Sequence, residues 1–336
     1  MADHGGLDRQ VAHLLAQASG PHTRAAAAVA ERARQVLRPA GALARLDELA
    51  EWLAAWQGTE RPAVRRPAAL VFAADHGVAA SGVSAYPAEV TAAMVKALRE
   101  GVATACVLAR QVGATLKVVD VGVGVPTGDL TREPALDPAR FRACVQAGRD
   151  AVATLDTDLL VLGEMGIGNT TAAAAVTAIL LGRSAEASTG RGTGVDDAGL
   201  ARKRAAVSAA RRRVGTAAPM EVLRQAGGAE LAALAGAALE ARLRRLPLVL
   251  DGFVVTAAVA PLELLRPGAL ANAVAGHRSA EPGHRALLER LGLRPLLELD
   301  LRLGEASGAL AAVPLLRLAA AAVTEVATFG DWGLQR

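Results

Sequence analysis

The chain has 336 residues, 52% hydrophobic and 21% charged, which is enough apolar material for one large domain or a large domain with a smaller partner. Its formal charge is only +4, its lysines are confined to Lys96, Lys117 and Lys203, and aromatic residues make up 2%, so the arginine excess reads as compositional bias and base-stacking nucleic-acid platforms are excluded. Cys106 and Cys144 stand apart without metal-ligand spacing, which predicts free thiols in a reducing cytosol and no metal site.

Residues 7–55 place Leu7, Val11, Leu14 and Leu15, then Val36, Leu37, Leu43, Leu46, Leu49 and Leu53, at helical spacing. Pro21 and Pro39 punctuate them, so two or three helices are expected. The start, MADHGGLDRQ, is polar and shows no signal-peptide pattern. Residues 58–68 form a polar connector. Leu70–Ala74 is a buried strand ending at Asp75-His76-Gly77. Pro87 stands early in a helix expected to run to about Gln111. Thr115–Val121 is the next strand, followed by Gly122-Val123-Gly124. Residues 126–139 hold three prolines and read as an exposed loop before a helix from Phe141 to Leu155.

Leu159–Leu162 is a continuous apolar run, the pattern of a strand buried on both faces. Glu164-Met165-Gly166-Ile167-Gly168-Asn169 follows, then Thr170-Thr171 and an alanine-rich helix to Leu181 with Gly182 as its C′ residue. Strand, glycine loop and helix N-terminus make an anion site, because the first helical N–H groups are unpaired. The alternative is an ordinary tight turn between strand and helix. Glu164 favours a site, since open α/β sheets bind ligands at the carboxyl ends of their strands. No Lys follows the second glycine, so this is not a nucleoside-triphosphate loop. Met165–Gly182 is the longest uncharged run, and its glycines make it a poor membrane span.

A second glycine loop, Gly190–Asp197, precedes an arginine-rich helix at 198–214. Leu246–Leu250 is a strand ending in Asp251-Gly252-Phe253, before a small-residue helix. Leu270–Val274 is expected to be a short strand before Gly276-His277-Arg278-Ser279. Helical signals cover 283–291 and 308–326, with Leu296–Leu299 between them. The alternation of short apolar runs with helices predicts an α/β fold with a mostly parallel, doubly wound sheet. The strand-end loops are rich in glycine and carboxylates. They suit a phosphorylated sugar held by backbone N–H groups with a carboxylate base nearby. Taken singly, His76, His277 and His284 read as structural, Lys203 as a solvated helix residue, and Glu305 equally as an N-cap or a turn acid.

Five segments together resemble one family: FAADHGVAASGVSAYPAEVT (72–91), GEMGIGNTTAAAA (163–175), GRGTGVDDAGLARK (190–203), DGFVVTAA (251–258) and GHRSAEPGH with LGLRPLLELDLRLGEASGAL (276–310). They are similar, in order and across about two-thirds of the chain, to nicotinate-nucleotide–dimethylbenzimidazole phosphoribosyltransferases. The resemblance implies transfer of ribose 5-phosphate from nicotinate mononucleotide to a benzimidazole nitrogen, with β-to-α inversion, in cobalamin lower-ligand synthesis. It implies a Rossmann-like large domain, placed at 26–289, and a small helical domain of 1–25 with 290–336. It further implies a cytoplasmic homodimer that needs no metal or organic cofactor. Glu305 takes the family's general-base position, with Glu164 beside it. Gly166, Gly168, Asn169, Thr170, Gly192, Thr193, Gly194 and Lys203 take the phosphate and ribose positions, and Ser84, Tyr86 and Asp75 the base-binding ones. Where the family commonly differs, this chain has Ala74, Ala93, Ala97, Val102, Cys106, Val255 and Ala306. Losing amide side chains at 93, 97 and 106 predicts a permissive acceptor slot. A paralogue using another azole or a phenol, and a non-catalytic nucleotide binder, are the alternatives; the retained carboxylate pair argues against the binder.

Overall fold

A computed structural model describes residues 6–334. Three helices come first, α1 (Gly6–Gln17), α2 (Thr23–Gln35) and α3 (Arg45–Gln57). Strand β1 (Pro67–Ala74) leads to α4 (Val90–Arg99), α5 (Thr104–Gln111) and β2 (Thr115–Gly122). Helix α6 (Pro138–Ala153) enters β3 (Leu159–Met165), and α7 (Asn169–Leu180) leaves it. Next come α8 (Ala185–Ser188), α9 (Asp197–Val214), α10 (Pro219–Ala226), α11 (Ala229–Leu243) and β4 (Leu248–Leu250). Helix α12 (Phe253–Leu265), β5 (Ala273–His277), α13 (Pro282–Leu291), β6 (Pro295–Leu297) and α14 (Ser307–Thr324) complete the regular elements that shape the fold.

The six strands form one parallel sheet in the order β2-β1-β3-β4-β5-β6, as the alternation of elements predicts. Side chains along each strand alternate between two cores. Leu70, Phe72, Leu160, Leu162, Leu248 and Leu250 face one layer, which holds α6, α7 and α10–α12. Ala69, Val71, Leu159, Val161 and Val249 face the other, which holds α2, α3, α5 and α14. Strand β1 pairs with β2 on one side and β3 on the other, so the chain reverses direction across the sheet there. A crevice opens at such a switch point, outside the carboxyl ends of the strands.

Local chemistry explains most boundaries. Asp137 caps α6 by accepting Ala139 N at 2.8 Å and Arg140 N at 2.9 Å, and Pro138 opens the helix three residues earlier than expected. The single helix expected to reach Gln111 is two, because the chain turns at Gly101, whose φ is +78°. The strand expected at Leu270–Val274 is displaced. Register with β4 pairs Ala273–Ala275 with Leu248–Leu250, so Gly276 and His277 lie inside β5. Helix α11 has no amphipathic stripe to betray it, since every residue from Ala229 to Leu239 is buried. It crosses α6 closely: a Cβ on Gly148 would meet Ala233 O at 1.8 Å. By length and composition α14 could cross a membrane, but 56% of that window is buried within the fold.

Candidate active site

A cleft of about 650 Å³ opens at the carboxyl ends of the strands, within the size range of small-molecule sites. Its walls are α4, the turn from β3 to α7, the loop at Gly192-Thr193, the start of α12, the end of β5 and residues 300–305.

Two carboxylates meet at its floor. Glu164 lies within β3, in register with Phe72, and its carboxylate accepts the side-chain amide of Asn169. Burial pushes its pKa well above the ordinary range, and the nearby charges of Asp251 and Glu230 add to that. Glu305 is 3% exposed, and its backbone N–H donates to Glu164 O at 3.1 Å. Burial raises its pKa too, against a lowering hydrogen bond from Ala105 N–H. Its Oε2 has no hydrogen-bond partner among the described residues. Glu305 and Ala306 are both left-handed, at φ +58° and +68°, which costs about 1–2 kcal/mol for each non-glycine residue. Tertiary contacts hold that geometry. Ser307 N bonds Gly304 O at 2.9 Å, and Asp251 Oδ1, from the end of β4, accepts Ala309 N in the first turn of α14 at 2.9 Å. The chain also passes directly over Gly163, where a Cβ would stand 2.2 Å from Ala306 N.

Behind Thr170 and Gly192, which line the cleft, lies a buried cation. Lys203 on α9 is 1% exposed, and its Nζ donates to Thr170 Oγ1 at 2.7 Å in the first turn of α7. Burial lowers its pKa, and Glu281 counteracts that. Gly192 passes this pair so closely that a Cβ would lie 2.9 Å from Nζ and 3.0 Å from Oγ1. Apolar groups of Val90, Met94, Ile167 and Phe253, with Tyr86 at 52% exposure, line the remaining wall.

A phosphoribosyltransferase family model matches residues 18–333. A protein named nicotinate-nucleotide–dimethylbenzimidazole phosphoribosyltransferase from Mesorhizobium japonicum is 51% identical over 330 residues, 98% of each chain. Its namesake from Cereibacter sphaeroides is 49% identical over 318 residues, 94% of each. The crystal structure of CobT from Thermus thermophilus superposes with a TM-score of 0.89 at 46% identity, covering 93% of this chain and 99% of that one. The chain belongs to the nicotinate-nucleotide–dimethylbenzimidazole phosphoribosyltransferase family.

In this phosphoribosyltransferase the expected residues separate by position. Glu164, Glu305, Gly166, Asn169, Thr170, Gly192, Thr193 and Tyr86 line the cleft, and Lys203 reaches it through Thr170. The other four expected residues are placed elsewhere. Gly168, at φ +97°, shapes the N-cap of α7 and faces Ala79. Gly194 lies beside the cleft wall, its N–H bonded to Arg191 O at 3.0 Å. Ser84 accepts Tyr86 N at 3.2 Å, steadying that residue from behind. Asp75 accepts Gly124 N at 2.7 Å and ties β1 to the loop after β2. The Gly192 N–H is not free for a phosphate either, because it donates to Glu281 at 2.7 Å. Ala93 faces solvent, Ala97 packs against the core, and the Cys106 thiol donates to Leu98 O at 3.3 Å. None of the three lines the cleft, so the expected opening of the acceptor slot has no basis in their positions.

The sequence pointed to no functional role for Phe253, Ser279, Glu281 and Arg302 and read His277 as structural, yet all five line the cleft. The signal for Phe253 was the DGFVVTAA segment, and for the others the GHRSAEPGH and LRLGEASGAL segments. The structural reading holds for two histidines. His76 Nε2 meets Glu230 Oε1 at 2.5 Å with both side chains fully buried behind Gly166. His284 is pushed down to about 3 by burial and stays neutral. Its Nδ1 accepts Ser279 N at 3.0 Å, so its Nε2 carries the hydrogen donated to Thr256 Oγ1 at 3.0 Å.

Proposed function

We propose that the cleft transfers ribose 5-phosphate from nicotinate mononucleotide to a nitrogen of 5,6-dimethylbenzimidazole or a related flat base. The observation that carries this is one cleft lined by Glu305, which has a buried oxygen unpartnered among the described residues, by Glu164, and by Thr170 with Lys203 bonded to it. The bond from C1′ to the pyridinium nitrogen breaks, and its electrons return to the ring, so nicotinate departs without a proton. The acceptor nitrogen bonds C1′ from the opposite face, which inverts the centre. The N–H proton of its azole ring passes to Glu305. The carboxylates also stabilise the oxocarbenium character of the sugar. Phosphate is held by Lys203, Thr170 and the start of α7, where backbone N–H groups and the helix dipole favour an anion. The acceptor lies against Val90, Met94 and Phe253. Incubation with nicotinate mononucleotide and a panel of azoles and phenols, read by mass spectrometry, tests the reaction and separates it from the paralogue and binder alternatives.

The phosphate assignment has its own test. Lys203→Ala is expected to raise KM for the mononucleotide about tenfold or more, since a hydrogen bond to a charged group contributes about 1.5–3 kcal/mol. KM for the base should barely move. Equal use of nicotinate riboside and its 5′-phosphate by the parent enzyme would remove the phosphate subsite.

We further propose a cytosolic homodimer with a helical unit drawn from both chain ends. Buried free thiols at Cys106 and Cys144 support the reducing compartment. The packing of α14 on α3 and the bonds from Arg32 to Val323 O at 2.8 Å and Arg38 to Ala322 O at 2.7 Å support a helical unit whose N-terminal part is α2 and α3, helices that the expected boundary at 26 assigns almost wholly to the large domain. Light scattering and limited proteolysis check these points.

A further inference from the structure

The turn between β5 and α13 carries a carboxylate that the transfer chemistry does not use. Glu281 is 7% exposed and immediately precedes α13. Its Oε1 accepts Gly192 N at 2.7 Å, and its Oε2 accepts Gly190 N at 3.2 Å. Gly190 leaves the space that this requires, because a Cβ there would come within 2.5–2.7 Å of the carboxylate. On the other side of Gly192 stand Lys203 Nζ and Thr170 Oγ1.

A carboxylate in this position has two opposite roles open to it. It competes with a phosphate for the loop's N–H groups, or it fixes the loop so that other donors meet the phosphate. The geometry favours the second. Two charge-assisted bonds to alternate residues leave a glycine loop little freedom. Among the described residues, the backbone N–H groups of Thr193 and Thr170 have no acceptor, and both residues line the cleft. We propose that Glu281 is a positioning residue of the phosphate subsite, latching Gly190 and Gly192 so that Thr193, Thr170 and Lys203 meet a phosphate monoester as a fixed array. This rests on the phosphoribosyl reading above. Glu281 also helps Lys203 keep its proton against desolvation. The other groups around the lysine do not compete for that role. Thr170 is uncharged, and Arg191 on the loop is paired with Asp197 at 2.5 Å.

Steady-state kinetics of the full chain carrying Glu281→Gln test the latch. KM for nicotinate mononucleotide is expected to rise about tenfold, the scale of one charge-assisted bond, with kcat and the KM for dimethylbenzimidazole nearly unchanged. Removing the Glu281 charge lowers the lysine pKa further. The mononucleotide KM of the variant should therefore climb with pH at a lower pH than in the parent, which a purely structural role does not produce. Gly190→Ala disturbs the same contact from its other partner and is expected to reproduce the KM increase; it decides the matter if Glu281→Gln does not fold. A fall in KM would make Glu281 a competitor of the phosphate and overturn the latch. An unchanged KM in both variants, beside a Lys203→Ala variant that still weakens mononucleotide use, would overturn it and leave the functional reading standing. No transfer by the parent chain would sink that reading, and the latch with it.

Discussion

Glu305→Gln is expected to lower kcat by roughly 10²–10⁴-fold, the usual contribution of a positioned general base. Glutamine keeps the shape of the side chain but cannot take the azole proton. Mononucleotide binding should change little, because Lys203 and Thr170 are untouched. The pH profile adds a second readout. Only the ionised carboxylate accepts a proton, and burial raises the Glu305 pKa. Parental kcat/KM should therefore rise with pH through an apparent value above the ordinary glutamate range of about 4.3, and this limb should flatten in the variant. Glu164 is raised as well, so the limb belongs to the coupled pair. Stability should move the other way. A carboxyl group whose folded pKa is raised stabilises the fold fully below its unfolded pKa and loses that contribution as pH climbs through the folded value. At neutral pH the Gln variant should melt no lower than the parent. An unchanged kcat would remove Glu305 from the role, and a large drop in Tm would mean that the lost activity reports misfolding.

Gly163→Ala is expected to cost on the order of 100-fold in kcat/KM although residue 163 touches no substrate. Gly163 lies inside β3, opposite Val71 of β1, so its backbone cannot retreat without breaking the ladder. A Cβ there would stand 2.2 Å from Ala306 N and 2.6 Å from Ala306 Cα. Both atoms are backbone, so the 304–306 segment must lift, and it takes Glu305 with it. The bond from Glu305 N to Glu164 O, 3.1 Å in the parent, is the first to lengthen. A displacement of about 1 Å at a catalytic group costs about 100-fold in rate. Overpacking adds about 1–3 kcal/mol of destabilisation. Gly20→Ala is the control, since a Cβ at Gly20 meets nothing within 4 Å. A Gly163→Ala enzyme retaining a third or more of parental kcat/KM would show that the seat under Ala306 does not position the base.

The elements legible in the sequence were those set by nearest neighbours along the chain. Leu159–Leu162 reads as a doubly buried strand from four residues, and the glycines after it mark the turn into α7 whatever surrounds them. The parallel sheet followed from that alternation, and Glu164 was placed at the carboxyl end of its strand. Helix α11 was not legible, because a helix apolar on every side has no period to detect. The family resemblance named Glu305 and Lys203, but their surroundings come from residues far away in sequence. Lys203 is buried because α7 brings Thr170 to it from 33 positions away, so a residue that looks solvated alone becomes a desolvated cation. Gly192 N–H is bound by Glu281 from 89 positions away, and Asp251 caps α14 from 58. Asp75 and Ser84 belong to the family's motif, yet packing turns one toward the β2 loop and the other behind Tyr86. Periodicity and turn chemistry act over a few residues, and the sequence displays them directly. Desolvation, pKa and the seating of one loop on another depend on which surfaces the closed sheet presses together, and only the tertiary structure decides that.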